Sequence, residues 1–289
     1  MSEVAIELTE VRSALAAAAE RSAHLIDSLP DLDARLARSE WTVGNAAAHL
    51  AIGLRGFTDA AMGDAERWRF AIPDPARYSD RVAGVNRTTI SAEPRRAPAG
   101  AGQAITEAAA SFLEATAGWL PSQAIPTPWY RDDATHTVLS ATCLLLGEQL
   151  VHGYDIARSV GRDWAITPVQ AAMVFEGVLA MMPLAVNPDT SRGLSATFKL
   201  HVGRRSQVVV RVADGVATVD APGAPGAPGA PGAPGGARVD CHIAGTPVAL
   251  VLVGYGRISQ WHAIATGRLF AWGRKPWLGF RFVNLFFNP

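Results

Sequence analysis

Apolar residues recur at helical spacing through the first two thirds of the chain. Alanine- and leucine-rich segments that end at proline or glycine predict helices over about 3–28, 42–62, 103–120 and 137–160, and one after Thr167-Pro168. Thr42 is a favoured N-cap residue, and a Thr-Pro pair is a favoured helix start. Long amphipathic helices with no convincing strand between them predict a helical bundle.

The pattern changes near Leu194. Alternating and β-branched residues predict strands over about 196–202, 207–212, 215–219 and 238–243. A helix after Thr246-Pro247 and a C-terminal helix that ends in aromatic residues follow these strands. Strands followed by helices predict an α+β domain, so we expect a helical domain over 1–190 and an α+β domain over 191–289.

A run of Ala-Pro-Gly triplets occupies 221–236, between two predicted strands. A collagen triple helix would need three chains and many more repeats. Proline and glycine at this density cannot build a core, so the run predicts an extended hairpin connection. We assign it no function.

The charges of the whole chain balance. Lysine plus arginine and aspartate plus glutamate both number 26, which gives a formal net charge of zero. With no basic field over the whole chain, we expect neither nucleic acid nor a membrane as a partner. Cys143 and Cys241 lie far apart, which favours a reduced compartment over a disulfide framework.

The chain shows no pattern of a targeted or membrane-spanning protein. Its first residues lack the basic and apolar regions of a signal peptide. The longest apolar stretch, 171–186, is interrupted by Glu176 and Gly177 and is shorter than the roughly 20 residues that span a bilayer. We therefore expect a soluble cytoplasmic protein, as a monomer or a small homo-oligomer.

Glu148 and His152 form the first candidate for chemistry. Residues four apart project from one face of a helix, about one turn from each other, so both side chains can reach one ion. His49, in the second predicted helix, is the candidate third ligand. Three protein ligands leave a position open for water or substrate, which is the arrangement of a catalytic zinc site.

The spacing alone is not specific. Glu20 with His24, and Asp132 with His136, have the same separation, but the first pair lies on a polar helix face and the second in a polar segment that is more loop than helix. Glu148 and His152 follow a run of three leucines instead. A carboxylate buried among leucines costs several kcal/mol unless a cation pairs with it, and a metal ion would remove that cost.

Two other interpretations stay open at this point. A lone histidine such as His49 is often a hydrogen-bonded core residue. Glu148 and His152 can also form a buried ion pair with Arg158 or Arg55, since a motif match by itself often misleads. Spacing and burial do not decide between these interpretations and a metal site.

The same residues resemble a known family. Trp41-Thr42-Val43 with His49-Leu50, and the segment from Gly147 to Arg158, resemble the mycothiol-dependent maleylpyruvate isomerases, which are DinB-like four-helix-bundle metalloenzymes. The resemblance implies a divalent metal ion, with zinc expected, bound by His49, Glu148 and His152. It also implies mycothiol as a thiol cosubstrate, together with a small electrophilic substrate that bears a carboxylate.

The C-terminal region carries a second resemblance, to sterol-carrier-protein type-2-like domains, which are the usual partner of this isomerase family. The similar segments are 239–247, 267–269 and 273–277. The family implies a basic residue of this domain that holds the substrate carboxylate. Arg257, Arg268 and Arg274 are the candidates, although Arg268 and Arg274 are equally well explained as solvated turn residues.

The resemblance makes a metal-dependent, mycothiol-using isomerase or S-transferase the leading function. The alternative is a non-catalytic protein that binds lipid or another small molecule. It rests on the sterol-carrier-like segment and on the apolar residues 280–287, which are also typical of a core helix. A transcription regulator is disfavoured by the balanced charge and the lack of a basic helix-turn-helix pattern.

Overall fold

The computed structural model describes residues 6–37, 39–69, 77–203, 206–220 and 238–287. These residues divide into two compact units, Ile6–Gly177 and Val178–Pro289. The division falls inside the helix Pro168–Met181. The domain boundary expected from the sequence lies later in the chain, after residue 190. The Ala-Pro-Gly run at 221–236 lies outside the described residues, so its role as a hairpin connection stays a prediction.

The first unit is helical, as predicted. Its helices are α1 Leu8–Asp27, α2 Val43–Ala61, α3 Tyr78–Ala92, α4 Pro98–Ala115, α5 Val138–Ser159 and α6 Pro168–Met181. Helices α4 and α5 each contact both α1 and α2. The four helices bury their leucine, isoleucine and alanine faces against one another, which removes apolar surface from water.

Two features of the helical unit differ from the predictions. Helix α3 lies between residues 62 and 103, where prolines at 73, 75, 94 and 98 interrupt the helical pattern and no helix was expected, and Val85 is the only buried residue in this helix. A hairpin of β1 Ala124–Pro126 and β2 Thr135–Thr137 precedes α5, so the expectation that no strand interrupts the helices is wrong. Strands of three residues are too short to show an alternating pattern.

The two helices that carry the candidate ligands begin with side-chain caps. At the start of α2, Asn45 N donates to Thr42 Oγ1 over 3.2 Å, and Thr42 N donates to Asn45 Oδ1 over 3.0 Å. At the start of α5, Ser140 N donates to Thr137 Oγ1 over 3.1 Å. These bonds satisfy backbone donors that the first turn of a helix leaves without partners.

The second unit contains a sheet, as predicted. Its strands are β3 Ser195–Val202, β4 Ser206–Ala213, β5 Val216–Asp220, β6 Cys241–Gly245 and β7 Leu269–Trp272. The spatial order is β5-β4-β3-β6-β7, in which β3 and β6 are parallel and the other neighbours are antiparallel. The helices are α7 Pro188–Ser191, α8 Pro247–Gly254, α9 Gln260–Ala265 and α10 Gly279–Phe282.

The two faces of the sheet have different characters. Along β3, Ala196, Phe198, Leu200 and Val202 are buried, and the residues between them are partly exposed. Phe198 packs on Phe282 of α10, with ring centroids 4.8 Å apart. One face of the sheet therefore forms the core of the unit, and the other face carries polar and aromatic side chains.

The end of the chain differs from the predicted C-terminal helix. Strand β7 forms where no strand was expected, and the residues after it form a short 3₁₀ helix, Pro276–Leu278, followed by the four-residue α10. Gly273 has a φ of 119°, a conformation that favours glycine and that ends β7. Pro276 lacks a backbone donor, which limits the growth of a regular helix there.

None of the helices in the described residues is long and apolar enough to cross a membrane. Cys143 and Cys241 are both buried and free.

Candidate metal centre

The candidate ligands converge at one point between α2 and α5. His49 Nε2 lies 2.9 Å from Glu148 Oε2, and His152 Nε2 lies 3.2 Å from the same oxygen. Each of the three residues offers one ligand atom, and these atoms all lie within 4.8 Å of one another. No other such group of three occurs in the described residues. The structure therefore brings together the three residues chosen from the sequence.

Trp41 fixes one side of this cluster. Its carbonyl accepts from Leu36 N over 2.9 Å, and the capped start of α2 follows directly. The Trp41 ring stacks on His152 at a centroid distance of 5.6 Å and lies 5.0 Å from the ring of His49. The apolar indole covers both imidazoles, so their orientations are restricted by packing as well as by hydrogen bonds.

The cluster is less buried than the leucine-rich surroundings suggested. The exposed fractions of the side chains are 16% for His49, 26% for Glu148 and 13% for His152. Helix α5 buries Leu144, Leu145 and Leu146 just before Glu148. Glu148 itself keeps contact with solvent, which leaves room for a small molecule to approach the ligand atoms.

The two histidines control the charge of Glu148. Burial alone would raise the pKa of this carboxyl, but the hydrogen bonds from His152 and His49, together with their charges, outweigh burial and hold the pKa well below its usual range. Glu148 is therefore an anion at neutral pH. An anionic carboxylate between two imidazoles is a favourable donor set for a divalent cation.

The alternative ion pairs with arginine are not formed. Arg55 Nη2 donates to Glu93 Oε2 over 2.6 Å, and Arg158 Nη1 donates to the Tyr154 hydroxyl over 3.2 Å. In the described part of the chain, the recorded partners of the Glu148 carboxylate are the two histidines. The interpretation of Glu148 as the partner of Arg55 or Arg158 is therefore wrong.

The other pairs with the same spacing have ordinary structural roles. Glu20 and His24 are both exposed on α1. Asp132, in the loop between β1 and β2, pairs with Arg81 of α3. His136 is buried instead, and its Nδ1 lies 2.9 Å from Thr127 Oγ1. These pairs have the same spacing as Glu148 and His152 but different surroundings, because neither pair shares a partly buried cluster with a third candidate ligand.

Two neighbours of the cluster were not chosen from the sequence. Asp155 Oδ2 lies 3.7 Å from His152 Nδ1, a buried ring nitrogen that has no hydrogen-bond partner in the described structure. Burial, followed by the charge of Glu148, raises the pKa of Tyr130, so its hydroxyl keeps its proton. Asp155 could have been found from its spacing of three residues after His152, but no sequence signal connects Tyr130 to α5.

The three candidate arginines all lie in the second unit. Arg257 Nη1 donates to the Tyr255 carbonyl over 2.6 Å, and Arg274 pairs with the carboxylate of Asp240. Arg268 is exposed just before β7, and no described residue binds its guanidinium. A role for any of them in substrate binding stays a prediction.

The donor set fits a divalent ion. Two imidazole nitrogens and one carboxylate oxygen are typical ligands of catalytic zinc sites, in which a fourth position stays open. The Nε2 atoms of both histidines already point at the same carboxylate oxygen, and the exposure of Glu148 provides the open side. Metal binding by these residues remains a prediction.

The comparisons with known proteins agree with this geometry. The profile of the mycothiol maleylpyruvate isomerase N-terminal domain matches residues 15–157, which contain all three candidate ligands. A crystal structure of a histidine-to-alanine mutant of the mycothiol-dependent maleylpyruvate isomerase matches at a TM-score of 0.51 and 12% identity. The match covers 92% of this chain and 93% of that one. This likeness shows a shared fold. No curated protein matches the sequence.

Two further likenesses are too weak to support a conclusion. The crystal structure of the mycothiol-dependent maleylpyruvate isomerase without that mutation has a TM-score of 0.48 at 12% identity, with coverage of 92% and 93%. An inverting sec-alkylsulfatase from Pseudomonas sp. has a TM-score of 0.30 at 14% identity and covers 86% of this chain and 33% of its own.

Fold and site together define a protein in which a helical unit with a His/Glu/His cluster is joined to a sheet-containing unit. The helical unit carries a mycothiol maleylpyruvate isomerase N-terminal domain, which the family model matches over residues 15–157.

Proposed function

We propose that this protein is a divalent-metal-dependent, mycothiol-using isomerase or S-transferase that acts on a small electrophilic substrate with a carboxylate. The observation that carries the proposal is the convergence of three ligand atoms within 4.8 Å inside the family domain. His49, Glu148 and His152 would hold the ion, and zinc suits two imidazoles with one carboxylate, although other divalent ions also accept this set.

The proposal extends to the architecture. Helices α1, α2, α4 and α5, which pack on one another, would form a DinB-like four-helix bundle, with the site between α2 and α5. The mixed sheet with its short helices would be the sterol-carrier-like domain. Both assignments rest on the residues that carry the resemblance and on the fold shared with the isomerase structure.

The chemistry follows from the site and the cosubstrate. A divalent ion held by His49, Glu148 and His152 would lower the pKa of a thiol cosubstrate and so supply it as a thiolate. In an isomerisation, the thiolate sulfur adds to the activated double bond and the π electrons move onto the neighbouring carbonyl. Rotation about the new single bond and loss of the thiolate then restore the double bond in the other geometry.

The chain's own residues would prepare this reaction. Glu148 would balance the charge of the ion and, with the two imidazoles, leave one side open to the thiol. Trp41 would keep both imidazoles in place through its ring contacts. Tyr130, which keeps its proton beside the charge of Glu148, would supply a neutral hydroxyl near the site without adding negative charge.

The substrate carboxylate would be held by an arginine, because a forked guanidinium binds a carboxylate with two hydrogen bonds. Arg268 is the best of the three candidates because its guanidinium has no partner in the described structure, whereas Arg274 already pairs with Asp240. We expect Arg268→Gln to raise KM about tenfold or more with a smaller change in kcat. An unchanged KM would remove Arg268 as a candidate.

Metal content is the first test. Mass spectrometry of the purified protein should find about one divalent ion per chain, and His49→Ala/His152→Ala should lose it. Glu20→Ala/His24→Ala is the matched control, because it removes a glutamate and a histidine at the same spacing from an exposed helix face. This control should keep the ion.

Turnover is the second test. We expect conversion of maleylpyruvate, or transfer of the thiol to an electrophile, only when mycothiol and metal are both present. A protein that holds no metal, and takes none up after dialysis against zinc, contradicts the proposal. In that case the alternative, a non-catalytic protein that binds lipid or another small molecule, gains support. Its ligand binding should survive both His49→Ala and Glu148→Ala.

A further inference from the structure

Two histidines of the second unit lie side by side on the face of the sheet that does not form its core. His201 is on β3, His242 is on the neighbouring parallel strand β6, and both are partly exposed. His201 alternates with the buried residues Leu200 and Val202, so its side chain lies on the opposite face of β3. The two histidines are 41 positions apart in the sequence, and pairing of the strands brings them together.

One nitrogen of each imidazole faces the other ring. His201 Nε2 lies 3.1 Å from His242 Nδ1. Burial, followed by nearby positive charge, holds the pKa of both histidines below the ordinary value of 6.5, so both rings are neutral at pH 7. A neutral imidazole has one N–H and one lone pair, so one ring donates to the other. If the donor's proton moves to its other ring nitrogen, two lone pairs face the same point.

The distance between the two nitrogens suits a single metal ion. Imidazole nitrogens bind zinc at about 2.0–2.1 Å. Two bonds of this length, with their nitrogens 3.1 Å apart, meet at the ion at roughly 100°. This angle lies between those of square-planar and tetrahedral coordination, the geometries of copper, nickel and zinc sites. Neither strand therefore has to move for both histidines to bind one ion.

Trp272 of β7 holds both imidazoles in position. Its ring lies 5.2 Å from the ring of His242 and 5.1 Å from that of His201, with interplanar angles of 12° and 28°. The three side chains come from adjacent strands of one sheet, in which His242 is paired with Trp272. Trp272 is 45% exposed, so solvent reaches this cluster. Ligands that packing already orients lose little conformational freedom when they bind an ion.

We propose that His201 and His242 form a second metal site, which takes one divalent transition-metal ion that prefers imidazole ligands. Cu(II) binds nitrogen ligands more tightly than Ni(II) or Zn(II) does, whereas Mg²⁺ and Ca²⁺ prefer oxygen. Water completes the coordination. With two protein ligands and no carboxylate, this site binds an ion less tightly than His49, Glu148 and His152 would, and it does not keep its ion through purification.

Lys199 distinguishes a bound cation from a bound anion. It lies two residues before His201 on β3 and is paired with His242 across the parallel strands. Its charge acts on both imidazoles and opposes the binding of a cation. An anion would be attracted by Lys199, but the two facing nitrogens have one proton between them and so cannot both donate to it. The contact between the rings therefore favours a metal ion.

Titration of the full chain with Cu(II) tests the proposal. The background protein is His49→Ala/His152→Ala, in which the first candidate centre is removed. Cu(II) quenches indole emission at short range, so an ion between the two histidines should quench Trp272. We expect saturable quenching by about one equivalent of Cu(II). His201→Ala/His242→Ala in this background should weaken Cu(II) binding at least about tenfold.

The matched control is His24→Ala/His262→Ala in the same background, because both of these histidines are exposed and each lies in a different unit. It should bind Cu(II) like the background protein. Trp272→Phe should reduce the quenching but keep most of the affinity in equilibrium dialysis. Circular dichroism checks that each variant is folded. Electron paramagnetic resonance of the Cu(II)-loaded background protein identifies its nitrogen ligands without any change to the sheet.

Lys199→Gln in the same background should tighten Cu(II) binding, because it removes a positive charge beside the ion. Three outcomes overturn the proposal. The first is a background protein that shows no saturable binding of Cu(II). The second is a folded His201→Ala/His242→Ala variant that binds Cu(II) as tightly as the control. The third is weaker Cu(II) binding by Lys199→Gln. The proposed function is tested separately, because its metal content is measured on protein whose sheet is unchanged.

Discussion

Asp155 adds a second layer to the site at the scale of single residues. Its Oδ2 lies 3.7 Å from His152 Nδ1, the ring nitrogen that is not directed at Glu148. The two atoms are too far apart for a hydrogen bond, but the negative charge of a carboxylate on this side of the ring favours a proton on Nδ1, which leaves the lone pair of Nε2 for a metal ion. We therefore infer that Asp155 orients His152.

The substitution Asp155→Asn tests this role. We expect it to weaken metal affinity by at most about tenfold, the lower end of what removal of a hydrogen-bonded partner causes, without unfolding the protein. The measurement is competition for zinc with a chelator of known affinity. Asp163→Asn, at an exposed aspartate after α5, should leave the affinity unchanged. Equal affinities for all three proteins would exclude an orienting role.

His136 predicts a pH dependence of stability. Burial lowers its pKa to about 4 from an ordinary value of 6.5. The unfolded chain therefore binds a proton at a pH where the folded chain does not, and stability is lost as pH falls from about 6.5 towards 4. The loss from this residue is about 1.4 kcal/mol per pH unit in that window.

Urea unfolding at pH 7 and at pH 5 measures this effect. We expect the stability of His136→Asn to fall less between the two pH values than that of the wild type, because the variant has no imidazole to protonate. Other groups titrate equally in both proteins, so the difference between them isolates His136. Identical falls would contradict the assignment.

The three candidate ligands could be chosen from residue types together with the family resemblance, but their surroundings could not be predicted. His49, Glu148 and His152 stand out because metal-binding side chains rarely occur in such apolar helices. Tyr130 reaches the neighbourhood of Glu148 from the hairpin before α5, and Trp41 stacks on His152 across two helices. These contacts depend on packing between elements, which local periodicity does not contain.

At the scale of elements, Gly153 lets a tryptophan lie directly on α5. A Cβ at this position would overlap Trp164 Cζ2. The indole is fixed there, because Trp164 Nε1 donates to the Leu150 carbonyl over 2.9 Å and the Arg21 guanidinium lies 3.6 Å from the ring centroid. The chain after α5 is thereby tied to both α5 and α1.

Gly153→Ala should therefore destabilise the protein by about 1–3 kcal/mol, because a firmly held ring cannot move away without cost. Gly53→Ala is the matched control: it also lies inside a helix, and no atom lies within 4 Å of the added Cβ. It should stabilise the protein by up to about 1 kcal/mol through helix propensity. Urea unfolding measures the free energy of unfolding of both variants. A Gly153→Ala variant more stable than the wild type would contradict the close packing of Trp164 on Gly153.

Helices could be predicted from the sequence where a capping residue marks their first turn. Thr42, Thr137 and Thr246 each cap a helix whose start the sequence predicts. Helix α3, the β1–β2 hairpin and β7 lack such signals. They are short or have few buried residues, so tertiary contacts stabilise them more than their own patterns do.

At the scale of the whole molecule, α6 determines where the helical unit ends. A Cβ at Gly177 would lie 2.8 Å from Leu144 N, so α6 approaches the backbone of α5 closely. Ala171, Met173, Val174 and Phe175 of α6 are buried. A fragment without α6 would expose the apolar surface of α5 that α6 covers.

We expect a fragment of residues 1–190 to fold alone and to keep a cooperative thermal transition of its helical circular dichroism. A fragment of residues 1–167, which lacks α6, should melt at least several degrees lower or fail to fold, because it leaves apolar surface uncovered. Equal melting temperatures would show that α6 is not part of the cooperative unit.

The balanced charges of the chain are unevenly distributed along the sequence, and this distribution has a consequence for chromatography. At pH near 7.1, where the formal charges cancel, a protein with evenly mixed charges is not retained by an ion-exchange resin. Here every acid precedes the last 49 positions, and five cations lie within them, of which Arg274 and Lys275 contact Asp240 and the other three are separated from every acid along the sequence. The protein should therefore be held by a cation-exchange resin at its own isoelectric point, with the C-terminal segment facing the resin.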